Sequence, residues 1–269
     1  MSLILSVASA AALLGSAQPQ PTEYLPAYGA PLPAPILTNT VQDEVPHNVW
    51  TGAVTIGATI TSGNTDLRQA NADANAEYRR EDDRTSLEAY WTYADEKDST
   101  TNVRSLTQRQ VYAKAQYDYF FSEETYAYGN VSGLSDAKKA LDLRLTVGAG
   151  IGQQWFEDED KAFSTEIGVS YVDENYKVDS QDVDYAAGRF AFNYRNQLNE
   201  ETTFEQNGEL LVSLDNANDT IGMLDTRVRT NLSETMFGQI QWVMDYDNTP
   251  VPGNDRLDHR VVLSIGWTF

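Results

Sequence analysis

Residues 259 to 269 read HRVVLSIGWTF, the last eleven of the chain. Val261, Leu263, Ile265, Trp267 and Phe269 fall on one parity, and Arg260, Ser264, Gly266 and Thr268 on the other. Alternation at period two describes a strand with one apolar and one polar face. A terminal strand frays unless something ties it down. An aromatic last residue on the apolar parity therefore predicts a strand gripped along its whole length.

Working upstream, the same alternation recurs as far as Val49, in segments split by short polar turns. Twelve can be drawn: 49–61, 67–79, 85–95, 105–119, 125–134, 141–154, 161–174, 183–198, 202–214, 221–232, 236–246 and 257–269. Most reach the roughly 9–11 residues that a tilted strand needs to cross a bilayer. No proline lies between Pro46 and Pro250, as expected of strands hydrogen-bonded on both sides.

The apolar parity of the sixth segment is Leu141, Leu143, Leu145, Val147, Ala149 and Ile151. The polar parity is dense with charge and amide, as in Gln69, Asn71, Asp73, Asn75 and Glu77 of the second segment. A water-soluble sandwich with an apolar core could share this pattern. Two features favour a membrane barrel instead. Aromatics gather at segment ends on the apolar parity, with Tyr117, Tyr119, Trp155 and Trp267 at one end and Trp91, Tyr93, Tyr171 and Tyr246 at the other. Such belts are what two membrane interfaces select. Connections also alternate between tight turns such as FSEE and longer loops such as DNTPVPGNDR.

The expectation is thus an all-β fold: a closed antiparallel transmembrane β-barrel of about twelve strands, up-and-down, spanning residues 49–269. The last strand should pair with the first and abolish the edge. An even strand number puts both termini on one side, read as the periplasm of a bacterial outer membrane. Lipid and lipopolysaccharide are then the surroundings. Phe269 is expected to present the C-terminal strand to the barrel assembly machinery, or more simply to anchor it at the interface.

Composition narrows the function. Cysteine is absent and the two histidines are His47 and His259, which excludes disulfides, thiolate metal sites and His-rich centres. A net charge of -21 disfavours nucleic acid. Leu3 to Leu14 is apolar and runs into Gly15, Ser16 and Ala17, the pattern of a secretory signal cut after Ala17. No Lys or Arg precedes Arg68, so the basic n-region is missing and a short buried helix is the other reading. Residues 18–48 hold seven of the nine prolines and read as an extended periplasmic linker.

The opening WTGAVTIGATITSGNTD (residues 50–66), with SDAKKALDLRLTVGAGIGQQW (135–155) and EIGVSYVDENY (166–176), resembles the YdiY-like salt-induced outer-membrane family, domain of unknown function 481. The resemblance covers about residues 49–269. It implies an outer-membrane barrel linked by the family's name to salt response, and no established catalytic residues. The missing basic n-region and the acidic loops depart from the family's pattern.

On the inward parity, the basic residues are Arg144, Arg189, Arg195, Arg227, Arg229 and Arg260. The acids are Asp73, Glu77, Glu88, Asp118, Glu166, Glu205 and Glu209. They could form a charged constriction that lines a pore, or pair across the lumen and plug it. About eight strands give a filled interior and 16 or more a wide channel, so twelve leave both open. The glycines at 148, 150 and 152 would leave room beside one wall, or ease its curvature. The acidic loops at 215–220 and 245–255 lack the spacing of a calcium loop, and no metal or other cofactor is expected. His259 lacks a visible catalytic partner, and no Gly-x-Ser-x-Gly elbow occurs, so no enzyme is expected. The reading is a narrow passive channel for ions or small solutes, with a closed structural barrel that supports salt tolerance as the alternative.

Overall fold

The computed structural model describes residues 48–60, 66–98, 101–158, 160–177, 182–250 and 255–269. The expected signal at 1–17, the linker up to residue 47 and the Gly63–Asn64 turn lie outside them. The strands are β1 (Trp50–Ile60), β2 (Asp66–Arg79), β3 (Asp83–Lys97), β4 (Arg104–Phe120), β5 (Thr125–Asp136) and β6 (Leu141–Glu157). They continue as β7 (Lys161–Tyr176), β8 (Val183–Gln197), β9 (Thr202–Ser213), β10 (Thr220–Asn231), β11 (Met236–Asp247) and β12 (Leu257–Thr268). Each pairs antiparallel with its chain neighbours, and β12 returns to β1 to close a barrel. The fold expected from alternation is the fold observed, including the number of strands.

Turns at the rim where β1 begins and β12 ends, here the proximal rim, are short: residues 80–82, 121–124, 158–160, 198–201 and 232–235. Distal connections are longer on the whole, up to residues 248–256 between β11 and β12. Wall height is uneven. β4 and β6 have 17 residues each, whereas β9 to β12 have 12 each and β1 has 11.

The closing seam explains the terminal aromatic. The Phe269 N–H donates to the Gly52 carbonyl, and the Gly52 N–H donates to the Phe269 carbonyl, both at 3.0 Å. The Phe269 ring lies over Gly52, where a Cβ would meet it at 2.6 Å. The strand is held to its last residue.

Inside and outside are inverted relative to a water-soluble core. Ile151, Ile167, Val169, Val261 and Leu263 on the outer wall are each more than half exposed. Glu166, Asp118 and Gln110 in the interior are at most 1% exposed. An outer wall so apolar is matched to hydrocarbon, where every backbone group must be paired within the protein. One outward assignment is corrected. A bulge shifts the β6–β7 register between Leu141 and Leu143, so Leu141 turns inward and is 1% exposed.

Candidate functional site: the barrel lumen

The interior side chains stand at several heights. The middle tier crosses the lumen. Arg189 donates through Nη1 to Glu166 (2.7 Å) and through Nη2 to Glu209 (2.9 Å). Glu166 also accepts from the Gln116 amide at 2.9 Å and the Tyr126 hydroxyl at 3.0 Å. Gln116 donates to Asp118 at 2.9 Å, and Asp118 accepts from Arg84 Nε at 2.7 Å. Lys114 Nζ stands 3.9 Å from Glu209. Six strands are tied into one network by these contacts.

The glycine ladder makes that span possible. Gln116 on β4 reaches Glu166 on β7 past two intervening strands. On β6 the inward positions there are Gly148, Gly150 and Gly152. The expectation that these glycines leave open room is corrected: tyrosines fill it. A Cβ at Gly152 would overlap the Tyr126 ring, and one at Gly150 would stand 2.6 Å from the Tyr128 hydroxyl. Arg189 in turn lies 4.9 Å from the Tyr128 ring centroid.

On the opposite wall, Arg227 forks onto Asp225 (3.0 and 2.5 Å), which also accepts from Gln241 at 2.7 Å. Arg229 lies over Phe237 at 4.3 Å, donates to Gln239 at 3.1 Å and stands 3.6 Å from Glu205. The distal tier holds Arg144 on Glu174 at 2.7 Å, with Tyr176 donating to the same carboxylate at 2.6 Å. Beside it lies a buried apolar layer that includes Tyr90, Tyr112, Leu134, Leu141, Leu211 and Met223.

Between this layer and the β10–β12 wall runs a slot of about 30 Å³, lined by Asp73, Thr92, Asp225, Arg227 and Arg260 among others. Asp73 accepts from Thr55 Oγ1 at 3.0 Å. Arg195 donates to the Asp158 carbonyl at 3.2 Å, and Glu77 is buried toward the proximal rim. Glu88 is 6% exposed, with neither carboxylate oxygen hydrogen-bonded within the protein. The thirteen residues singled out by parity therefore stand at several heights and not in one ring.

Arg84, Glu174 and Tyr126 were missed. Arg84 falls one residue before the segment drawn at 85–95, although it shares the parity of Ser86 and Glu88. Tyr126 and Tyr128 were overlooked because inward tyrosine has no separate signature in an alternating strand. Outside the lumen, His259 faces outward and stacks on Trp242 at 6.0 Å. Among the described residues no group of three acidic or histidine side chains is placed to hold a metal ion.

An apolar outer wall closed around an ion-paired interior defines the class, a twelve-stranded transmembrane β-barrel. Residues 54–269 match the family described as "Protein of unknown function, DUF481", and the chain belongs to that family. No curated protein matches the sequence. Among solved structures the chain is similar to a NanC porin, at 10% identity over 82% of this chain and 99% of the porin, with a TM-score of 0.49. It is also similar to the translocator domain of the autotransporter NalP from Neisseria meningitidis, at 11% identity over 82% and 88%, TM-score 0.46. A KdgM porin in complex with disordered oligogalacturonate gives 7% identity over 81% and 99%, TM-score 0.43. At these scores the likenesses carry no argument about what this chain does.

Proposed function

We propose that the protein is a narrow passive channel for ions or small solutes in the bacterial outer membrane, with its proximal rim in the periplasm. The observation that carries this reading is a row of buried polar groups at mid-lumen. Asn75, Glu88 and Lys114 are register partners across β2, β3 and β4. Each is at most 7% exposed, yet Asn75 Nδ2, both Glu88 oxygens and Lys114 Nζ have no hydrogen-bond partner in the protein. Lys114 faces Glu209 at 3.9 Å and Glu88 is attracted to Lys114, yet a buried polar group left without a hydrogen bond costs about 1–3 kcal/mol, so the row calls for water. The slot of about 30 Å³ on the Arg227 side is large enough for a water molecule. Water held at both places, beside charges of both signs, is what a narrow, weakly selective pore would use.

A closed structural barrel that helps the envelope tolerate salt is favoured by a different observation, the apolar layer around Tyr112, Leu134 and Leu211. Continuity of water past that layer separates the two readings. Single-channel recording of the refolded protein in a planar bilayer tests it. Discrete current steps are expected, with reversal potentials in asymmetric salt that shift when Arg227 and Arg229 are changed to Ser. A correctly inserted but silent protein would support the closed barrel. Salt induction, contact with lipopolysaccharide and delivery by the assembly machinery through Phe269 belong to the same proposal.

A further inference from the structure

The proximal rim carries a cavity that the channel reading does not use. Its volume is about 680 Å³, and it lies where the turns after β2 and β4 approach the end of β6. Small-molecule sites are typically about 300–1,000 Å³. Glu81, Asp82, Glu123, Glu124 and Glu157 line it, against the single guanidinium of Arg79. That guanidinium interacts electrostatically with Glu157 and Glu77 and lies over the Phe120 ring at 3.8 Å. Two of its nitrogens, Nε and Nη1, are buried without a hydrogen-bond acceptor, but five carboxylates against one guanidinium keep the concave surface strongly negative. Concave surfaces of one sign focus field lines and concentrate counter-charge.

An acidic rim alone would hold nothing but solvent. A second feature points to a ligand. Gln154 lines the cavity, is 3% exposed and donates through Nε2 to the carbonyls of Phe156 (3.0 Å) and Phe163 (3.4 Å). Those two bonds set which way the amide faces, and they leave Oε1 as a buried acceptor with no donor in the protein. A buried acceptor of this kind calls for a donor. Phe121, Trp155 and Phe156 complete the lining beside Phe120, whose face Arg79 already covers, and aromatic faces attract cations.

The chemistry separates an organic from an inorganic cation. Hard divalent ions take several oxygen ligands at once, and no group of three carboxylates among the described residues is placed to supply them. An organic ammonium needs less: one buried acceptor, an aromatic wall and a negative field. We propose that this vestibule binds a small organic cation bearing a primary ammonium, with Gln154 Oε1 accepting its hydrogen bond and the surrounding carboxylates supplying the field. The site is independent of whether the lumen conducts.

Isothermal titration of the full chain, refolded in detergent at low salt, tests it with 1,5-diaminopentane as probe and pentanoate as the anionic control. The diamine is expected to bind saturably and pentanoate not at all. Affinity should fall as sodium chloride is raised, because exposed charges are screened beyond roughly 10 Å at 0.1 M salt. Gln154→Leu should weaken binding about tenfold or more, the worth of one hydrogen bond from a charged donor. Gln154 also braces a β6 bulge, so the paired turn variant Glu123→Gln with Glu124→Gln is the second arm. It changes no strand residue, and an amide at 124 can still accept from Gln153, so it should weaken binding while the heat-dependent gel shift of the folded barrel stays unchanged. No binding by a folded barrel would overturn the proposal, as would preference for pentanoate, or an affinity indifferent to both variants. A protein that binds the diamine yet is silent in bilayers would overturn the channel and leave the vestibule site standing. A conducting protein that ignores the diamine would do the reverse.

Discussion

Glu166 shows how much a single residue holds here. It joins β4, β5, β7 and β8 through Gln116, Tyr126 and Arg189, with side chains 1% (Arg189) and 0% (Glu166) exposed in the ion pair. Removing Glu166 takes the acceptor from Gln116 and Tyr126 and leaves Arg189 with Glu209 alone, and breaking such a buried pair costs about 3–5 kcal/mol. Glu166→Leu should lower stability by that amount in urea titrations of the refolded barrel. Glu166→Leu with Arg189→Met should lose less than the sum of the two single changes, because both remove the same Glu166–Arg189 contact. An additive double variant would refute the coupling. Gly152 makes a steric counterpart. A side chain there meets the Tyr126 ring, so Gly152→Val should cost about 1–3 kcal/mol through overpacking. Parity alone marked Glu166 and Arg189 as inward. It could not show that they meet, since their separation across β7 and β8 depends on register.

At the scale of the element, the seam between β1 and β12 is the point of closure and the shortest ladder. It registers four pairs, Ala53–Thr268 to Ile56–Ile265, whereas β1 and β2 register eleven. Short ladders open locally at lower free energy. Amide exchange should therefore be faster along β12 than along β4, which is paired over most of its length on both sides. Deleting Phe269 removes two backbone hydrogen bonds to Gly52, each worth about 0.5–1.5 kcal/mol net. The heat-dependent gel shift should then occur at lower temperature, and an unchanged midpoint would show that the terminal residue adds no grip. Alternation revealed every strand, because period two is a local property of residue types. It misplaced Leu141, because a bulge is a mismatch between two strands and leaves no mark in either one alone.

For the whole molecule, the governing fact is the inversion of polarity. Val147 is half exposed on the outer wall between Val131 and Tyr171. An arginine at a bilayer midplane on such a wall costs about 2–4 kcal/mol. Val147→Arg should lower the stability of the refolded barrel in lipid vesicles by that amount, and a neutral result would argue that this wall does not meet hydrocarbon. The charge of -21 over the chain and the acidic proximal rim act at the same scale. They bias what approaches the mouths, while the mid-lumen slot offers both signs.

The sequence by itself determined the architecture: strand number, which face meets lipid, the turn asymmetry and the closure through Phe269. All of these follow from local periodicity and from the cost of an unpaired edge, which neighbouring residues express on their own. Only the tertiary structure decided how the interior is used. Whether inward charges line a path or answer one another depends on cross-lumen distances set by register, by bulges and by where glycine lets a tyrosine lie down. Gln116 and Glu166 are fifty positions apart in the chain, and no pattern along it records that they touch.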